Sequence, residues 1–136
     1  EPVLKRALDL DPNNLTSLLL MGRYLIVYKR FQEAEPYLKS ATEVASRAFQ
    51  PFNLLGRAYL GMDRFSDAEA TYERASTFAA SSEKKQLAGL YGFEGVGDGY
   101  LKSNQKDKAV RAYQRALELD PNNNGAAQKL ARVRPN

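Results

Sequence analysis

Small residues recur in this chain at a fixed beat. Gly22, Gly56 and Gly97 form one column, each followed three residues later by a bulky side chain, Leu25, Tyr59 or Tyr100. Ala34, Ala68 and Ala109 form a second, followed four residues on by Leu38, Tyr72 and Tyr113 and seven on by Ala41, Ala75 and Ala116. The first interval is 34 residues and the second is 41. A period in that range marks a chain built from repeated supersecondary units, since close helix packing leaves room only for small side chains at fixed places. The stretch RALDLDPNN at 6–14 returns as RALELDPNN at 115–123, three periods of 34 plus seven residues later. The chain thus opens inside the second half of a unit, and seven extra residues separate the second copy from the third.

Inside a copy the spacing is helical. Leu18, Met21, Gly22 and Leu25 share one face, and Ala34, Leu38, Ala41 and Val44 share another, as a period near 3.6 requires. The short segments YKRF, GMDRF and KSNQK separate such faces, so each copy is predicted to be two antiparallel helices. DPNN stops one helix and starts the next: proline cannot continue a helix, and asparagine favours the N-cap. Pro51 takes that place in the second copy, from the first turn of its helix,. The expected organisation is a second helix of a truncated unit at 1–14, a unit at 15–48, a unit with a seven-residue extension at 49–89, a unit at 90–123 and a terminal helix at 124–136.

These columns, the aromatics at Tyr59 and Tyr100 and the paired alanines resemble the tetratricopeptide repeat, over nearly the whole chain. The resemblance implies an all-α, right-handed α-solenoid of stacked antiparallel helix pairs, with first helices lining a concave groove that binds other proteins. Leu18, Phe52 and Phe93 stand where the family often has tryptophan, Lys106 replaces the aromatic seen at Phe31 and Phe65, and Pro36 falls early in a second helix. Pentatricopeptide repeats, which read RNA, typically keep a period of 35 and lack this alanine and DPNN pattern. Some family members hold a peptide's terminal carboxylate with a lysine, asparagine and arginine clamp. Here Leu19 and Arg23 replace the expected lysine and asparagine, and only Asn53 is suggestive.

Spacing along each first helix places Thr16, Leu19, Arg23 and Ile26 on the groove in the first full unit. Gln50, Asn53, Arg57 and Leu60 follow in the second, and Tyr91, Glu94, Asp98 and Leu101 in the third. Arg23 and Arg57 are equivalent, and their counterpart is Asp98, so the groove is expected to be basic through two repeats and acidic at the third. Arginine's planar fork suits a carboxylate. The expected partner is therefore a protein or peptide whose acidic segment or carboxylate faces Arg23 and Arg57. Homo-oligomerisation through the uncovered Leu4, Leu8 and Leu10 is the alternative, as is an accessory role in a larger enzyme.

The insertion falls within STFAASSEKKQLAG at 76–89, and seven residues make almost two helical turns,. The preceding helix is predicted to end near Ala80, with Ser81 or Ser82 capping a new start and the following helix extended at its N-terminal end; a distinct binding loop is the alternative. Gly89, Gly92, Gly95, Gly97 and Gly99 then fall inside a predicted helix. No glycine is followed directly by lysine and then serine or threonine, and no strand precedes the run, so a phosphate loop is not expected,. Glycine costs about 1 kcal/mol relative to alanine in a helix interior, so this helix is expected to be the weakest and locally mobile.

Composition narrows the chemistry. The chain is 43% hydrophobic and 26% charged, which suits a packed domain,. Its longest apolar run, LLLMGRYLIVY at 18–28, contains Arg23 and falls short of the roughly 20 residues that span a bilayer, so no membrane insertion is expected,. Without histidine or cysteine, the commonest general base, thiol nucleophile and zinc ligands are missing,. No catalytic residue, metal or cofactor is expected; Glu94 and Asp98, four apart, match a spacing ubiquitous on solvated helices. Of the net charge of +4, three come from Lys129, Arg132 and Arg134 near the C-terminal end, while 49–123 balances ten bases with ten acids. A nucleic-acid partner is not expected from that. The chain begins at Glu1 with no readable leader and is expected to be a fragment,. Its compartment stays open, with the cytoplasm as default.

Overall fold

The computed structural model describes residues 1–134; the last two residues of the expected terminal helix lie outside them. Nine helices and no strand occur among the described residues: α1 (Pro2–Leu10), α2 (Leu15–Val27), α3 (Phe31–Val44), α4 (Phe49–Gly61), α5 (Phe65–Thr77), α6 (Ser81–Ala88), α7 (Phe93–Lys102), α8 (Lys106–Leu119) and α9 (Asn124–Val133). Helices α2 and α3, α4 and α5, and α7 and α8 pack as antiparallel pairs, α3 leans on α4, and α9 leans on α8.

One turn design closes all three pairs. Lys29, Asp63 and Asn104 adopt left-handed φ values of 59°, 58° and 62°. The next residue then donates its backbone N–H to a carbonyl five residues back, Arg30 to Leu25 at 2.8 Å, Arg64 to Tyr59 at 2.9 Å and Gln105 to Tyr100 at 2.8 Å. This closure satisfies carbonyls that a helix end leaves free. At the opposite junctions the Asn14 side chain accepts the Ser17 N–H at 2.9 Å and the Asn123 side chain accepts that of Ala126 at 3.0 Å, so both DPNN stretches end in a working N-cap,.

Between paired helices, the glycine column does what its regularity suggested. A Cβ on Gly56 would come within 2.5 Å of the Tyr72 ring, one on Gly97 within 2.6 Å of the Tyr113 ring, and one on Gly22 would collide with Leu38. Tyr72, Tyr113 and Leu38 are fully buried as a result. Ion pairs repeat with the same beat: Arg30 reaches Glu1 at 3.4 Å and Arg64 reaches Glu35 at 3.2 Å. In the third copy Gln105 stands in place of the arginine, and Tyr100 instead donates its hydroxyl to Glu69 at 2.7 Å.

The insertion departs from expectation. Helix α5 stops at Thr77, before Ala80, and the added residues form a separate short helix, α6, which leans on α8. Neither Ser81 nor Ser82 is the N-cap: that position is Ala80, whose backbone N–H is accepted by the Glu83 carboxylate at 2.8 Å. Helix α7 is not extended; the chain breaks at 89–92 and restarts at Phe93. Here the glycines are structural. A Cβ on Gly92 would run into the Leu87 carbonyl, one on Gly95 into the Leu90 carbonyl, and one on Gly99 into the Phe65 ring. Gly89 alone of the four would take a Cβ without a clash, in ordinary van der Waals contact with the Gln86 carbonyl at 3.6 Å. The premise of a weak helix carrying surplus glycines therefore fails.

Candidate functional site

Helices α2, α4 and α7 stand side by side and open onto a concave cavity of about 440 Å³. Its floor carries Ile26 of α2, Arg57 and Leu60 of α4, and Asp98 of α7. Rings of Phe31 and Phe65 close the turn end, where each ring sits on a bare stretch of backbone, Phe31 on Gly61 and Phe65 on Gly99. By register Phe65 should meet residue 102, but Lys102 has a side chain there, and Gly99 offers space one turn earlier. Val27 forms one rim and Leu90 and Tyr91 the other. Val27, Leu90 and Tyr91 are 68%, 59% and 67% exposed, an unusual concentration of large apolar side chains in water.

Five of the twelve residues read as groove-facing meet in this cavity: Ile26, Arg57, Leu60, Tyr91 and Asp98. Tyr91 lies in the turn before α7 and not on a first helix. Thr16, Arg23 and Leu101 are exposed outside the cavity lining, Leu19 and Gln50 are half-buried, and Asn53 is buried. Glu94 is also buried. Its carboxylate accepts from the Lys129 ammonium at 2.7 Å and from the Asn123 amide at 3.1 Å.

The acidic end of the groove is therefore partly neutralised from within, by one lysine against two carboxylates. Lys129 of α9 reaches Asp98 at 3.0 Å as well as Glu94, and Tyr113 donates to the other Asp98 oxygen at 2.7 Å. Burial disfavours the charged lysine, but the hydrogen bonds it donates to Glu94 and Asp98 outweigh it and hold its pKa above the ordinary value,. The notion of a basic stretch followed by a free acidic one is not what the fold presents.

Arg57 is different. Its guanidinium lies 4.7 Å from the centre of the Tyr91 ring, and it makes no ion pair among the described residues. Its Nε is buried without a hydrogen-bond partner, as is the Tyr72 hydroxyl beside it. Arg57 and Tyr91 lie 34 residues apart, but the insertion makes Asp98 the repeat equivalent of Arg57, so the column spacing did not point to the stack. Leu90 and Val27 were also missed; exposed apolar side chains next to a helix end were the available signal. Among the described residues no group of acidic side chains could hold a metal ion, and no helix is long and apolar enough to cross a membrane.

Stacked antiparallel helix pairs whose first helices share one concave face define a helical-repeat scaffold for protein interaction. Family profiles described as tetratricopeptide repeat match residues 49–81 and 91–123. Over those residues the chain carries tetratricopeptide repeats. No curated protein sequence matches it. Among solved structures it is similar to the crystal structure of MamA, at 22% identity and a TM-score of 0.75, covering 96% of this chain and 72% of that one. It also resembles the Arabidopsis OM64 TPR domain, at 18% identity and a TM-score of 0.67, covering 88% of this chain and 93% of that one. A third likeness is to YrrB, described as a TPR protein with an unusual peptide-binding site, at 20% identity and a TM-score of 0.67, covering 96% of this chain and 63% of that one. Residues 82–90 fall between the two matched repeats, so most of α6 and the start of the break are additions to the family pattern.

Proposed function

We infer that the chain holds a segment of another polypeptide in the concave face of α2, α4 and α7, with Arg57 and, further along, Arg23 offered to carboxylates of that segment. The observation that carries this reading is the cavity of about 440 Å³ walled by the exposed side chains of Val27, Leu90 and Tyr91. Other concavities, at the turns and between α1 and α3, lack such walls. A pocket that is apolar at its sides with a few polar groups at its floor is the usual form of a recognition site. YrrB, similar in fold, is described by its peptide-binding site, which supports a peptide as occupant. The test is a photo-crosslinker placed at Val27 and, separately, at Glu118 on α8. Partner capture from Val27 alone is expected; capture from Glu118 alone would place the interaction on the other face.

A second reading rests on α1, where Val3 and Leu10 are 80% and 83% exposed. Such side chains suit a self-association surface. Sedimentation at rising concentration, with Leu10→Glu as the comparison, checks it: a monomer throughout removes this reading.

A further inference from the structure

Resting on the groove reading, we propose that the cavity selects an extended peptide segment in which a carboxylate side chain lies beside an apolar one, and that the inserted stretch from α6 to Gly92 is what sets this selectivity. Arg57 stands apart from the other arginines by burial without a partner: its Nε is enclosed and makes no hydrogen bond. Arg30, Arg64 and Arg115 all hold carboxylates at 3.4 Å or closer. Arg57 holds none, yet it is not free to wave in solvent: the Tyr91 ring covers one face of its guanidinium. A planar fork that is fixed, partly desolvated and without a counter-charge is a seat for a bidentate carboxylate.

The charge around it agrees. Lys29 and Lys102 also line the cavity and make no ion pair among the described residues. The lining sets three cations, Lys29, Arg57 and Lys102, against two acids, Asp63 and Asp98, and Asp98 already accepts from Tyr113 and Lys129. An acidic occupant is complementary to that field.

The apolar half of the motif comes from the insertion. An uninterrupted α7 would carry residues 90 and 91 on its first turn. The break instead sets Leu90 and Tyr91 at the rim, and it is pinned because the Leu87 and Leu90 carbonyls approach the bare Gly92 and Gly95 backbones. Leu90 and Val27 line the same cavity. Tyr91 therefore serves both halves, orienting Arg57 and adding apolar wall.

The test uses capped six-residue peptides with a central Leu-Glu-Leu, compared with Leu-Gln-Leu, titrated by fluorescence polarisation and by amide chemical shifts. Wild type should prefer the Glu peptide by about tenfold or more, the scale of a charge-assisted hydrogen bond. Arg57→Gln should abolish the preference while the Gln peptide still binds. Tyr91→Ser should weaken both peptides and shrink the preference, and retained helicity by circular dichroism shows that each variant folds. Equal binding of both peptides, with shifts on α2, α4 and α7, would overturn the motif and leave the groove reading standing. Shifts confined to other surfaces, or no binding of either peptide, would overturn both.

Discussion

The Tyr113 hydroxyl donates to Asp98 at 2.7 Å, whereas one copy earlier the equivalent Tyr72 hydroxyl has Arg57 in place of that carboxylate acceptor and is left without a partner. Two tyrosines in the same column thus carry opposite polar accounts. Tyr113→Phe should destabilise the chain by about 1–2 kcal/mol, the loss of a hydrogen bond to a charged acceptor. Tyr72→Phe should be neutral or stabilising by up to about 1 kcal/mol, because it removes an unsatisfied buried hydroxyl. Urea midpoints of the two variants, measured side by side, check the contrast.

Replacing Arg57 by aspartate copies the third repeat's arrangement into the second. The new carboxylate would accept from Tyr72, a gain of about 1 kcal/mol that offsets the lost stacking on Tyr91. Thermal unfolding should therefore change little, while binding of the Leu-Glu-Leu peptide should disappear. A variant that unfolds several degrees earlier would contradict this account of Tyr72.

Lys129→Met should loosen the C-terminal end. It leaves the Glu94 carboxylate, 8% exposed at its side chain, with the Asn123 amide as its remaining hydrogen-bond partner. The expected cost is about 1–3 kcal/mol, the penalty for an undercompensated buried group. Adding Glu94→Gln to Lys129→Met should recover part of it, and a double-mutant cycle measures the coupling.

Gly56→Ala should destabilise even though alanine is the better helix former by about 1 kcal/mol. The added methyl meets the Tyr72 ring, which is walled in on all sides, and overpacking of this kind typically costs about 1–3 kcal/mol. Gly89→Ala is the control; a Cβ there meets nothing closer than ordinary contact, which predicts no loss. Denaturant midpoints distinguish them.

Alkaline pH should weaken the fold. Burial, together with the hydrogen bond to Glu69, pushes the Tyr100 phenol up from 10.0 to about 12, and burial raises Tyr72 and Tyr113 further. The folded chain favours the neutral phenol, so this stability is complete below pH 10.0 and is lost as pH rises through about 12,. Melting temperature recorded between pH 8 and 12, on wild type and on Tyr100→Phe, checks it: the variant should show a shallower fall.

Much of this architecture was legible before any coordinates. The glycine and alanine columns mark contacts that recur between neighbours, so the same residue type must reappear at the same interval, and Gly22, Gly56 and Gly97 do meet Leu38, Tyr72 and Tyr113. The caps at Asn14 and Asn123 depend on a few adjacent residues, which the sequence also displays.

The amino-acid sequence by itself determined the helical pairs, their order and the place where the beat is interrupted, because those follow from local preference and from a period that each unit repeats. Only the tertiary structure decided that the interruption becomes a helix, a break and an exposed Leu90–Tyr91 rim, that Lys129 reaches back 35 residues to Glu94, and that Tyr91 covers Arg57. Each of these joins residues across the inserted segment or across packed helices, where no repeat column relates them and three-dimensional packing alone sets who meets whom.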